Sequence, residues 1–438
     1  MGKTAKNVES EFILTISQNA LTRFTQNYIH QNMASEESNI QLRVIINGRE
    51  GTFTTNCFDD TEMLRNAAEK AVEIARAQKP DKTFPGLPKG VRQINFSNAS
   101  PSTEKCSPAR RAAIVKKIIS QAKKHKAEAA GALSTRTERL IIWNSNNVRA
   151  CQYSTKAELN LVVSRGHYSG YSYWAGSDIE QMPFEQMAME AIQKTGFVGE
   201  PYPIAPGAYT VVLSPYAVAV LAKFLSYMGF SAKDYIEKRS FMNNLMGKKA
   251  AGRNVTIFDD GMNLEGIPRA FDYEGSPKKK VYFIKNGVAV GLVHDSRTAA
   301  KMGVPNTGHA LPMPNSHGPF ALNLFVAPGK SSEKELIQNT RRGIYVTKIH
   351  YPNIVEPIVT IMTGMTKDGT FLIENGRITK PIRNLRFTQS VLEAFCNVED
   401  ISRERRCLAS NMGACTAPAM RIKDFHFTGV SNLADGVD

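Results

Sequence analysis

Residues 200–207 read Glu-Pro-Tyr-Pro-Ile-Ala-Pro-Gly, three prolines and a glycine within eight residues. Proline fixes φ and carries no N–H, so neither a helix interior nor a central strand can pass through such a segment. It divides a chain of 438 residues into an N-terminal part, 1–200, and a C-terminal part, 207–438, each long enough to bury its own core. With 42% hydrophobic and 22% charged residues, the composition is that of a globular protein and excludes a disordered or fibrous one.

In the first part, residues 9–17, 22–29 and 40–46 are short runs rich in β-branched and aromatic residues. Asn47-Gly48 is a two-residue hairpin signal ahead of residues 52–55. A helix follows, with Asp59 or Asp60 as cap, an apolar stripe of Met63, Leu64, Ala67, Ala71, Ile74 and Ala75, and a stop at Lys79-Pro80. Residues 80–101 are rich in proline and read as loop. A second helix begins at Ser107-Pro108 and turns Ile114, Val115, Ile118, Ile119 and Ala122 to one side. Two β-like runs lie within residues 140–163, and Pro183 opens a third helix that ends before Gly196. The order βββα followed by αββα suggests two related halves.

The second part has a different texture. Residues 208–230 are apolar with one charge, Lys223, but Ser214-Pro215 breaks them into a strand and a helix, each too short to span a membrane. Short strand-like runs then follow at 280–285, 343–350, 354–362 and 370–373, with hairpin signals at Asn286-Gly287 and Asn375-Gly376. The expected fold class is α+β in two lobes, an N-terminal α+β lobe and a β-rich C-terminal lobe with antiparallel sheets.

Charge is the loudest compositional feature: 55 Lys and Arg against 40 Asp and Glu, a net +15. Residues 104–126 hold eight cations and one acid. Phosphate binding is one reading of them. Without interleaved aromatics or a DNA-binding motif, the solvated face of an amphipathic helix is the better account, and DNA is set aside as a partner. Six cysteines without a CxxC pair fit a reducing, cytoplasmic setting, and no secretory h-region or membrane segment is evident.

No GxSxG, Walker A or HExxH motif occurs, and the eight histidines are scattered, His309 and His317 being nearest to one another. Asp259, Asp260, Glu265, Asp272 and Glu274 lie among glycines and a proline, a pattern able to gather carboxylates around a cation or a basic peptide end. The plainer account is that they satisfy backbone N–H groups in turns.

A set of short stretches, in order along nearly the whole chain, carries a resemblance. They are Arg23-Phe24 with Asn27, Ile29 and Gln31; Pro206-Gly207 into Val211-Val212-Leu213-Ser214-Pro215; Asp259-Asp260 and Phe271-Asp272-Tyr273-Glu274-Gly275; Asp295-Ser296-Arg297-Thr298-Ala299; Asn306-Thr307-Gly308; Val326-Ala327-Pro328-Gly329; Gly343-Ile344-Tyr345-Val346; and Ile373-Glu374-Asn375-Gly376 into Lys380-Pro381. The chain resembles the TldD/PmbA family, also called modulator of DNA gyrase. The resemblance implies a zinc peptidase branch with HExxxH on the helix after the Val-Val-Leu strand and a late cysteine ligand. Here Lys223, Phe224 and Met228 stand at the His, Glu and His positions, with Cys407 and Cys415 in the late cysteine region. The chain therefore resembles the PmbA/TldE branch, with no catalytic or metal residues of its own. The resemblance implies a cytoplasmic, non-catalytic subunit of a metallopeptidase complex that handles unfolded peptides, paired with a TldD-like chain that carries the zinc, or with itself when isolated. Asp259, Asp260, Asp272, Glu274, Asn306 and Thr307 would then shape a substrate chamber or an interface. Two other readings are kept: a self-standing metallopeptidase using His309 or His317 with Asp259 or Asp260, and a protein acting on DNA or gyrase.

Overall fold

The computed structural model describes residues 8–57, 60–90 and 92–430. In the first lobe the strands are β1 (Val8–Thr25), β2 (Tyr28–Ile46), β3 (Arg49–Thr55), β4 (Arg92–Ser97), β5 (Glu128–Asn144), β6 (Val148–Arg165) and β7 (Tyr168–Gly176). The helices are α1 (Thr61–Ala77), α2 (Pro101–Glu104), α3 (Pro108–Lys124) and α4 (Phe184–Gln193). One sheet holds all seven strands in the order β3-β2-β1-β5-β6-β4, with β7 on a later stretch of β6. All its pairings are antiparallel except β4 on β6.

Helix starts follow their caps. Asp60 accepts from the N–H groups of Glu62 and Met63, whereas Asp59 lies outside the described residues. Ser107 accepts from Arg110 N ahead of Pro108. Of the α1 stripe, Ala67, Ala71 and Ala75 are buried but Met63 is exposed. The helix lies so close to β3 that a Cβ on Gly51 would stand 2.0 Å from Ala71 O. Small residues on both elements permit this approach.

Three expectations need correction. Residues 22–29 are not one strand: they straddle a tight turn at Gln26 and Asn27, both at positive φ, between two long strands. Asparagine tolerates that conformation, but the turn lacks the glycine that marks most such hairpins. Residues 80–101 are not all loop, because β4 runs parallel to β6 within them. The second half has three strands before its helix, not two, since β7 folds back on β6.

The second lobe contains β8 (Gly207–Leu213), β9 (Ile257–Asp259), β10 (Val281–Lys285), β11 (Val288–Ala289), β12 (Asn323–Val326), β13 (Arg342–Glu356), β14 (Ile361–Glu374), β15 (Arg377–Pro381), β16 (Leu385–Ser390), β17 (Val398–Ser410) and β18 (Gly413–Val430). Its helices are α5 (Pro215–Gly229), α6 (Ala232–Ile236), α7 (Met242–Leu245), α8 (Ser296–Met302), α9 (Glu333–Gln338) and α10 (Val391–Cys396). The sheet is mostly antiparallel, with β8 on β13 and β12 on β18 as parallel pairs. Because β8 pairs with both β13 and β18, strands β8, β13, β14, β16 and β18 close into a ring, which leaves none of the five as an open edge. Residues 354–362, read as a strand, straddle the β13–β14 turn at 357–360.

Helix α5 packs against β13, β17 and β18 and is enclosed along nearly its whole length. Leu221, Leu225 and Met228 join the main core of this lobe, each worth about 1.5–3 kcal/mol by burial. A separate core of α3, α4 and the first sheet holds the other lobe. Among the described residues no helix is long and apolar enough to cross a membrane.

Candidate functional site

Strand β8 ends in the middle of the second sheet and hands the chain to α5 through Ser214, whose hydroxyl bonds Thr347 O and accepts from Ala217 N. This junction aims α5 at the β17–β18 hairpin. Next to the midpoint of the helix, Lys223 is 5% exposed, and its Nζ donates to Ser410 Oγ at 3.0 Å. Ser410 stands at the β17 end of the hairpin turn.

Burial lowers the Lys223 pKa, opposed by the nearby Cys415 and Cys407. The two thiols respond in the opposite sense: burial pushes Cys407 up to about 11 and Cys415 up to about 12. At neutral pH both are therefore protonated. Cys407 faces Thr416 across the hairpin and Cys415 faces Leu408. Phe224 and Met228 point elsewhere, into the apolar packing of the second lobe. The structure thus brings Lys223 together with Cys407 and Cys415 and parts it from Phe224 and Met228.

Zinc needs neutral imidazole, thiolate or carboxylate donors. Lys223, Phe224 and Met228 bring an ammonium, a benzyl ring and a thioether to the helix, with no imidazole or carboxylate among them, and this donor set does not fit the metal. Among the described residues no group of three or more His, Cys, Asp or Glu is placed to hold one.

The first lobe reaches this place through β7. Tyr216 of α5 exchanges two 3.2 Å hydrogen bonds with the backbone of Tyr173, and the Tyr173 hydroxyl accepts from Ala409 N at 3.2 Å. Beside Cys407 a cavity of about 640 Å³ opens between the lobes, lined in part by Trp174, Glu265, Arg405 and Arg406. Arg406 also borders a second cavity of about 710 Å³ between α4 and α9. Arg406 ties the lobes by bonding Glu190 of α4 at 3.3 Å. Nothing in the spacing of Ser410, Tyr173, Glu190 or Arg406 marks them in the sequence, since Ser410 meets Lys223 only in the folded second lobe and the other three meet their partners only across the lobes.

The acidic segment is a clasp between the lobes. Phe271 and Ala270 pack on Ile13, Leu140, Ile142 and Ala150 of the first sheet, and Gln152 bonds both Pro268 O and Ala270 N. Asp272 accepts from the backbone N–H groups of Glu274, Ser276 and Ala310. Glu274 accepts from Ser296 N, and its other oxygen lies 4.0 Å from Arg43, which is also paired with Glu11 and Glu50. Burial, reinforced by the Glu274 carboxylate, pushes Asp272 up to about 7. Burial likewise takes Glu11 to about 8 against the pull of Arg43.

Asp259 is fully enclosed. It accepts from His309 Nε2 at 3.0 Å and from Asn323 N. Burial would raise its pKa, but Lys278 and His309 hold it below the usual range. Burial and Lys278 in turn push His309 down to about 4. Thr307 bridges His294 and the other His309 nitrogen, and Asn306 bonds Ser276 and Ser296. Asp260 is separate, paired with Lys280 at 3.2 Å. The structure therefore gathers Asp259, Asp272, Glu274, Asn306 and Thr307 into the packed seam as turn and cap acceptors or donors. His317 is on the surface against Tyr227 and takes no part.

On α3, Arg111 is buried against Thr22 and Asn32, Arg110 pairs with Glu180, and Lys117 lies 4.0 Å from Glu185. Lys116, Lys123 and Lys124 have no ion-pair partner among the described residues.

Two family models match: the PmbA/TldA metallopeptidase C-terminal domain over residues 206–429 and PmbA/TldA metallopeptidase domain 1 over residues 11–75. A metalloprotease of Methanothermobacter thermautotrophicus is 22% identical over 84% of this chain and 82% of its own length. A metalloprotease TldD homolog of Buchnera aphidicola is 31% identical over 40% of this chain, a match spanning only 36% of that protein. The crystal structure of TldE from Thermococcus kodakarensis superposes with a TM-score of 0.85 over 96% of this chain and 97% of its own, at 21% identity. A structure from Thermotoga maritima, described as that of a candidate modulator of a DNA gyrase, gives 0.82 over 96% of each chain at 20% identity. These likenesses establish a common fold. With the C-terminal model alone spanning half of the sequence, the chain belongs to the PmbA/TldD family of metallopeptidase proteins.

Proposed function

We propose that this chain is a TldE-type subunit without a zinc site of its own, acting beside a zinc-bearing TldD-type chain in a cytoplasmic complex that degrades unfolded peptides. One observation carries the reading. Where the resemblance places the first histidine of HExxxH, the enclosed ammonium of Lys223 bonds Ser410 beside Cys407 and Cys415. Hydrolysis by a zinc-bound water needs at least three protein ligands and an open fourth position, and Lys223, Phe224 and Met228 offer no such set. This chain's share of the work is structural: its lobes form walls, and the arginine-lined opening beside Cys407 supplies a polar surface toward a peptide.

The test is metal analysis and peptidase assay of the purified chain, alone and mixed with a TldD-type chain from the same source. The expected result is no stoichiometric zinc and no chelator-sensitive hydrolysis alone, with activity in the mixture lost when the partner's zinc motif is mutated. Stoichiometric zinc and chelator-sensitive cleavage by the isolated chain would refute the proposal.

A further inference from the structure

The cavity of about 710 Å³ between α4 and α9 takes its walls from both lobes and shares only Arg406 with the opening beside Cys407. Its volume lies in the range of small-molecule sites, roughly 300–1,000 Å³. The floor is aromatic. Phe371 and Tyr345 are both buried, with ring centroids 6.3 Å apart, and Phe197, just past α4, lies 5.3 Å from Phe371. Ile337 of α9 and Ile378 of β15 extend this apolar lining. The walls are held in place on the side of the second lobe: Ser332 and Glu335 close a capping box at the start of α9, and the Asn375-Gly376 turn bonds Arg341 O and Thr340 O just beyond its end.

Six charged side chains line the same space, and three of them are satisfied by one another. Glu190 accepts from Lys194 at 3.0 Å on one oxygen and from Ser172 at 3.1 Å on the other, which also lies 3.3 Å from Arg406. The remaining three, Glu333, Lys334 and Arg377, make no ion pair among the described residues. Glu333 accepts from the Tyr345 hydroxyl at 2.7 Å, and burial raises its pKa against the pull of that bond and of Lys194. A carboxylate stripped of water and left without a paired cation is a group that an incoming ammonium stabilises. Lys334 and Arg377 are exposed at the mouth. From floor to mouth the order is aromatic rings, one unpaired acid and two unpaired bases.

We infer that this cavity binds a small zwitterion with an apolar body, its ammonium on Glu333, its carboxylate between Lys334 and Arg377, and its side chain on Phe197 and Phe371. That chemistry is shared by a free apolar amino acid and a very short apolar peptide. A plain carboxylic acid would satisfy the two bases at the mouth but leave Glu333 unmatched. A plain amine would satisfy Glu333 but meet a lining in which four cations face two acids. Only a ligand with both ends charged answers all three unpaired groups. Because α4 belongs to the first lobe and α9 and β15 to the second, an occupant also ties the lobes together and stabilises the chain by mass action. The inference rests neither on the absence of zinc nor on a catalytic partner.

The test is calorimetric titration of the full chain with L-phenylalanine and the dipeptide Leu-Phe, set against N-acetylphenylalanine, which lacks the ammonium, and phenylalaninamide, which lacks the carboxylate. Both zwitterions are expected to bind and to raise the unfolding midpoint, and each blocked form to bind phenylalanine's site at least about tenfold more weakly. The tighter of the two zwitterions identifies the source, free amino acid or peptide. Glu333→Gln, which keeps an acceptor for Tyr345, should weaken phenylalanine at least about tenfold and leave N-acetylphenylalanine unchanged. Lys334→Ala with Arg377→Ala should weaken phenylalanine similarly and leave phenylalaninamide unchanged. Failure of both zwitterions to bind at millimolar concentration overturns the inference, as does binding indifferent to blocking either end. A long peptide with both ends blocked that binds in their place overturns it in favour of a passage for unfolded chains. Should Glu333→Gln fail to fold, the blocked ligands on wild type decide the matter alone. Zinc content and peptidase assays, which bear on the functional proposal, are unaffected by any of these outcomes.

Discussion

Helices α3 and α5 begin alike, each with a serine cap followed by proline, and run 17 and 15 residues. The first carries most of a strongly basic segment and turns much of it to water. The second carries a single lysine and encloses it. The many exposed charges constrain little, because solvent and salt screen them. The enclosed charge of α5 bears on its surroundings more strongly, because burial removes the water that would screen it and that would stabilise the ionised forms of the two nearby thiols.

The sharpest way to break this contrast is to change the sign of the enclosed charge. Lys223→Glu should lower stability by about 3–5 kcal/mol in urea unfolding, since it buries a carboxylate beside Cys407, Cys415 and Glu158, while the nearby Lys156 is already paired with Glu158. Lys223→Met, which keeps the length and removes the charge, should stay within about 1 kcal/mol of wild type. A tolerated glutamate would mean that the region is wetter than its packing implies.

Next in size is the clasp. Gly275 sits at φ +72°, and an added Cβ would come within 2.6 Å of Val148 Cγ1 across the lobes. Gly275→Ala should cost about 2 kcal/mol and speed proteolysis at the seam more than within either sheet.

The seam should also respond to pH. Glu11 and Asp272 have folded pKa values raised to about 8 and about 7. Folding therefore takes up protons there, and the stability these groups contribute is complete below their ordinary range, near pH 4, and is lost as pH rises through 7 to 8. Thermal unfolding should accordingly shift downward between about pH 4 and pH 8 in this region, and Glu11→Gln should flatten part of that slope. An unchanged slope would place the titration elsewhere.

The smallest effect is expected on α3. Replacing Lys116 and Lys124 by alanine should alter stability by no more than about 0.5 kcal/mol, and a salt titration should detect no steep DNA affinity to lose. A loss as large as that of Lys223→Glu would erase the contrast between the helices.

Where local chemistry decides structure, it was legible beforehand. Asp60, Ser107-Pro108 and Ser214-Pro215 start helices as their side chains dictate, and Asn47-Gly48, Asn286-Gly287 and Asn375-Gly376 turn hairpins. The failures share a cause. Residues 22–29 and 354–362 cross turns that lack an Asn-Gly or Pro-Gly signal, so apolar runs on both arms of a hairpin read as one strand. The parallel strand β4 is hidden in a proline-rich stretch because its partner among the described residues, β6, lies some fifty residues later.

The candidate site divides in the same way. The amino acids alone place a lysine, a phenylalanine and a methionine where the resemblance implies a metal motif, and they set out a row of acids that turn chemistry can use. The tertiary structure decides the rest: Lys223 meets Ser410 and two late cysteines, while Asp272 and Glu274 vanish into a seam with Arg43. Those meetings join positions more than a hundred residues apart. No local propensity encodes them, and only the closing of the ring of strands and the docking of the two lobes bring the groups within reach.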